Sequence, residues 1–147
     1  MLKSQWTVVN VFVFLFLALN VNAQKEPIRQ IYEYKGENDK AMIMAKTDLF
    51  LLNVLSSERF TMKVNSQGED HLDVALSTPY EKGTISTRVR YDFLKQGYVV
   101  SLSNTQLQPN GKAVIPVVDE NNSLHKKLLE QYQKLFFTTY QLELAKT

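Results

Sequence analysis

The chain contains no cysteine. Disulfides, thiolate metal ligands, thiol nucleophiles and lipid attachment at a processed N-terminal Cys are all excluded, so packing and hydrogen bonding alone must hold the fold. Histidine is nearly as scarce, with only His71 and His125 available as metal ligands or general bases. Five glycines are too few and too scattered for a phosphate-cradling loop. No G-x-S-x-G elbow, GK[ST] run or H-E-x-x-H pair occurs either. A surplus of one charge is also missing: 17 Lys and Arg against 15 Asp and Glu leave +2 over 147 residues. That is too little for a polyanionic partner, and nucleic acid is not expected. Nothing in the sequence implies a cofactor.

Long apolar runs are absent except at the N-terminus. Met1-Leu2-Lys3 is a short positive start, and Val8 to Val21 is broken only by Asn10 and Asn20. Val21-Asn22-Ala23 then offers small-type residues ahead of Gln24. This order predicts a secretory signal over residues 1–23, cleaved between Ala23 and Gln24. The run is shorter than the roughly 20 apolar residues a membrane span needs. The expected product is periplasmic or secreted, has no stable membrane span after cleavage, and forms one domain over residues 24–147.

Within that domain the pattern is mostly of period two. Ile85, Thr87, Val89, Tyr91 and Phe93 alternate with Ser86, Arg88, Arg90 and Asp92, which predicts a half-buried strand. Lys95-Gln96-Gly97 turns the chain, Gly97 being free to take a positive φ, and Tyr98, Val100 and Leu102 return on a second strand. Ile28–Lys35, Arg59–Asn65 and Leu72–Leu76 read as further strands, with Pro79 closing the last of these. Pro109-Asn110-Gly111 is a turn, and Pro116 confines any strand over Lys112–Val118 to an edge or loop. Two segments have helical spacing. Lys40–Leu55 is capped by Asn38 or Asp39, with Met42, Ala45, Leu49 and Leu52 as its core stripe widened by Phe50 and Val54. Ser123 to Ala145 is capped by Asn122 or Ser123, with Leu124, Leu128, Leu135, Phe136 and Leu142 on one face. Tyr132, Phe136 and Tyr140 recur there every four residues. The element order predicts an α+β fold, an antiparallel sheet of five or six strands with two helices on one face.

The candidate sites are polar rows rather than catalytic constellations. Arg88 and Arg90 project from one strand face about 7 Å apart, a spacing that suits an anionic group. Arg59 and Lys63, on another strand, are placed to join them; the competing reading is a solvated face with cross-strand ion pairs. In Glu69-Asp70-His71-Leu72-Asp73, His71 and Asp73 share a strand face and are the only weak metal candidates, with no calcium-loop frame around them. His125 has no carboxylate one helical turn away to orient it. Tyr32, Tyr34, Tyr80, Tyr91 and Tyr98 offer aromatic surface, with Tyr91 read as core and its hydroxyl at the rim.

The run Gln30-Ile31-Tyr32-Glu33-Tyr34-Lys35-Gly36, then Asn38-Asp39-Lys40 opening a helix, then Thr87-Arg88-Val89-Arg90-Tyr91-Asp92-Phe93 with its return strand, resembles a family of small exported bacterial domains of unknown function. The resemblance implies a TBP-like fold, a curved antiparallel sheet backed by helices, and brings no activity with it. The favoured functional reading is an exported, non-enzymatic binding or interaction module. Its partner is an envelope protein or a small anionic ligand at Arg88 and Arg90. The alternative is a small periplasmic hydrolase or lyase using dispersed acids and His71.

Overall fold

A computed structural model describes residues 26–57, 60–118 and 121–146. The signal-sequence reading and Arg59 therefore lie outside the described residues. Six strands, β1 (Ile28–Glu33), β2 (Thr61–Gln67), β3 (His71–Tyr80), β4 (Gly83–Phe93), β5 (Gly97–Pro109) and β6 (Ile115–Pro116), form one curved antiparallel sheet. Its order is β1-β5-β4-β3-β2, and β6 pairs with β5 beyond the end of β1. Helix α1 (Lys40–Ser57) follows β1. The chain closes with α2 (Ser123–Gln133), a π-helical stretch over Lys134–Thr139 and α3 (Tyr140–Ala145).

The alternating strand residues set which face is covered. Leu72, Val74 and Leu76 of β3, Ile85, Val89, Tyr91 and Phe93 of β4, and Tyr98, Val100 and Leu102 of β5 are all buried. They form one core with the helices. Aromatic rings close the layer: Tyr140 lies 5.4 Å from Tyr91 and 5.1 Å from Phe50, and Phe136 lies 6.4 Å from Phe50. These are distances at which ring quadrupoles favour tilted and edge-to-face contact. Both helical segments thus cover the same side of the sheet and leave the other side open.

Helix α1 presents a different face to the core from the one its apolar spacing predicts. Ile43, Thr47, Phe50, Leu51 and Val54 are buried, whereas Met42, Leu49 and Leu52 are 45%, 61% and 58% exposed. The helix carries two apolar stripes, and a hydrogen bond helps select between them. Thr47 Oγ1 donates to the Ile43 carbonyl (2.7 Å) and accepts from the Tyr140 hydroxyl (2.7 Å), so a polar residue sits satisfied in the core.

The C-terminal helix shifts phase for a geometric reason. The wider π turn places one more residue per turn than the α-helix does, so Phe136 and Phe137 both point inward. The face that follows is Tyr140 and Leu144, and Leu142 is 62% exposed instead of buried. Leu124, at 36%, is exposed as well. Asn122 caps the helix, its side chain accepting from the Leu124 and His125 amides.

Two bulges shape the sheet. On β5 the register steps from Ser86↔Gln106 to Arg88↔Ser103, so Thr87 faces two residues, and Asn104 takes a φ of 51°. On β2 it steps from Val64↔Val74 to Ser66↔Asp73, leaving Asn65 as the extra residue. Each bulge bends its strand and adds twist. Gly97 has a reason for its identity other than a positive φ, which it does not adopt: a Cβ there would lie 2.1 Å from the Tyr32 carbonyl oxygen of β1. Pro79 does not end β3, which continues through it to Tyr80 opposite Gly83.

Candidate functional site

The open face of the sheet is laid out by strand register. One row runs Arg29, Ser101, Arg90, Asp73 across β1, β5, β4 and β3. The row toward one end of the strands is Ile31, Val99, Asp92, His71, and on the other side lie Ser103, Arg88, Ala75 and Lys63. Arg29, Arg88, Arg90 and Asp92 line a hollow of about 500 Å³ on this face, with Ser101 and Ser103 on its floor and Pro27, Ile31, Val99 and Leu94 as apolar wall.

Arg88 and Arg90 do share this face, as their alternation predicts, but they are not two free cations. Asp73 is wholly buried beneath them. Arg88 Nε donates to both of its oxygens at 2.8 and 2.9 Å, and Arg88 Nη2 donates to Oδ2. Arg90 Nη1 reaches the same carboxylate at 3.4 Å and Arg90 Nε donates to Asp92 at 3.0 Å. Asn65, brought in by the β2 bulge, donates to Asp73 Oδ1 at 3.3 Å. These bonds, those from Arg88 first, hold the Asp73 carboxyl below the usual carboxylate range despite its burial. The cross-strand ion pair is therefore what the sheet builds here. This is the competing reading of the row given by the sequence, and both arginines still line the hollow.

The other candidates disperse. Lys63 joins the row of Arg88 but stands on the edge strand, outside the hollow. His71 shares the face of Asp73, yet its Nε2 bonds Ser66 Oγ at 2.6 Å and Asp73 is taken by arginine. Among the described residues no group of three or more His, Asp or Glu is placed to hold a metal ion. Asp70 pairs with Lys40 at the start of α1. The tyrosines turn toward the core side: Tyr98 stacks on Tyr32 at 5.0 Å and on Tyr34 at 5.7 Å. The Tyr91 hydroxyl is buried with no hydrogen-bond partner among the described residues, rather than at a rim.

Sequence reasoning missed Asp73 as the organiser of the site, although a charged residue between Leu72 and Val74 in an alternating strand was a signal for it. It missed Arg29 too. Arg29 is exposed and forms no ion pair among the described residues.

No family model and no curated protein matches the chain. Among solved structures, a TBP-like protein from Parabacteroides distasonis superposes with a TM-score of 0.62 at 12% identity, covering 86% of this chain and 96% of that one. The vertebrate conserved region of human METTL16 gives a TM-score of 0.49 at 10% identity, with 83% and 100% covered. The first likeness, with the six-stranded antiparallel sheet and its helices on one side, shows a TBP-like α+β fold.

Proposed function

We propose that this protein is an exported binding module of the bacterial envelope, and that the open sheet face receives its partner or ligand. The observation that carries the reading is the hollow itself. It joins exposed apolar side chains (Ile31 at 78%, Leu94 at 54%) to guanidinium groups that buried and half-buried carboxylates hold in place. Convergent polar donors beside uncovered apolar surface are the common make-up of a recognition site. Export rests on the N-terminal pattern ending at Ala23/Gln24. Kinship with the small exported bacterial family rests on the resembling sequence runs and is consistent with the bacterial TBP-like neighbour.

Thermal melting of the purified exported protein against anions, sugars, cell-wall fragments and lipids tests the reading. A ligand at about 100 times its dissociation constant stabilises the native state by roughly 2.7 kcal/mol. The expected result is a shift that Ile31→Glu abolishes, because this substitution alters the hollow at a position whose side chain is mostly in water. A shift unaffected by Ile31→Glu but lost in Leu49→Glu, on the outer side of α1, would overturn it.

A further inference from the structure

We infer that the hollow takes a small amphipathic monocarboxylate, anchored by Arg29. This rests on the open-face reading above and names the chemistry of its ligand. Arg29 is the cation of the hollow that no carboxylate among the described residues neutralises. Register places it directly across Ser101 from Arg90, two strands apart, so the two Cα atoms are separated by about 10 Å. Two arginine side chains span that distance with room for one planar oxyanion between them, above the Ser101 hydroxyl. Arg90 spends Nε on Asp92 and one N–H of Nη1 on Asp73, which leaves both N–H groups of Nη2 and the second of Nη1 to donate. A guanidinium fixed in this way loses little freedom on binding and matches a carboxylate in shape.

Charge selects the number of negative charges on the ligand. Arg29, Arg88 and Arg90 carry three positive charges and Asp73 and Asp92 two negative, a net +1. One carboxylate neutralises the hollow, whereas a phosphate dianion would leave it negative and lie near Asp92. The apolar body of the ligand belongs in the adjoining row. There Ile31 and Val99 are paired across β1 and β5, and Leu94 stands beside them. Covering such side chains removes apolar surface from water, which favours binding.

The test uses the purified exported protein and four probes: octanoate, octanamide, acetate and inorganic phosphate. Arginine Nε–Hε and isoleucine methyl NMR signals are followed, with Arg29→Gln and Ile31→Glu as variants. The expected result is saturable movement of the Arg29, Arg90 and Ile31 signals with octanoate. Acetate and octanamide bind more weakly, and Arg29→Gln loses roughly tenfold in affinity, the size of one charge-assisted hydrogen-bonded contact. If octanoate and octanamide bind alike and Arg29→Gln changes nothing, the anchor is wrong while the open face still binds. If phosphate binds more tightly than octanoate, the monocarboxylate assignment is wrong. If no probe moves any signal of the face, and the melting screen finds no ligand sensitive to Ile31→Glu, both readings fall together.

Discussion

Arg88→Met isolates the interaction on which the open face depends. The substitution keeps the long apolar stem and removes the guanidinium, so packing against the sheet is largely preserved. Asp73, wholly buried, would retain only Asn65 at 3.3 Å and Arg90 at 3.4 Å. Removing one partner of a buried pair typically costs 3–5 kcal/mol, but Arg88 is 43% exposed and the pair is partly screened, which lowers the expected cost to about 2–3 kcal/mol. For a domain of this size the midpoint should fall by about 8–12 °C. The pH dependence gives a second handle. The folded carboxyl sits below its unfolded value of about 3.9, so its contribution is present above that pH and is lost as pH falls through the folded value. The gap between wild type and Arg88→Met should therefore be full at pH 7 and close below about pH 4. Urea unfolding across that range measures it. The double variant Asp73→Asn/Arg88→Met should recover most of the loss, since no buried charge is then left unpaired. A loss under about 0.5 kcal/mol at pH 7, or a gap that ignores pH, would refute the reasoning.

Two further outcomes check the covered side of the sheet. Leu51→Ala should cost about 2–5 kcal/mol in urea unfolding, while Leu49→Lys, on the outer stripe of α1, should stay within about 0.5 kcal/mol; reversed costs would mean the helix faces the other way. In alkaline titration followed by phenolate absorbance, Tyr98 and Tyr132 should ionise only at about 12, because burial disfavours their charged forms. Tyr91 and Tyr140 are raised by the same cause. The stability these groups confer is full below the unfolded value near 10 and is lost as pH rises through the folded values. Normal titration of all seven tyrosines would contradict the packing.

What the sequence made legible follows from how local each signal is. The β4 and β5 strands alternate over whole lengths, and their period of two fixes both element and face. Lys40 and Ser123 begin their helices where the sequence predicts, with Asn122 capping the second. The inner face of α1 was not legible. A helix with two apolar stripes does not say which one faces the core, and the choice is helped by a bond between Thr47 and Tyr140, 93 residues away. The π turn that exposes Leu142 lacks a glycine or proline to announce it. The site behaves likewise: the face shared by Arg88, Arg90 and Lys63 is a period-two property, whereas the capture of both arginines by Asp73 is a matter of strand order. Arg29 stands alone among neutral residues, and only the pairing of β1 with β5 brings it to the hollow.

Asp73 both restrains the arginines above it and sets the charge of the hollow, and these two roles separate in Asp73→Asn. Asparagine has nearly the same shape and still accepts one hydrogen bond from Arg88, so the fold should survive without a buried charge to satisfy. The local sum of charges then rises from +1 to +2, because Arg29, Arg88 and Arg90 remain and only Asp92 opposes them. Arg88 and Arg90 would also gain free donors. The hollow should move from favouring a monocarboxylate toward favouring a dianion, so the ratio of phosphate to octanoate affinity should increase, and more steeply at low salt, where exposed charges are less screened. Titrations of the two probes at two ionic strengths measure that ratio. A ratio unchanged from wild type would mean that the buried carboxylate serves only the fold, and that charge in the hollow does not choose the ligand.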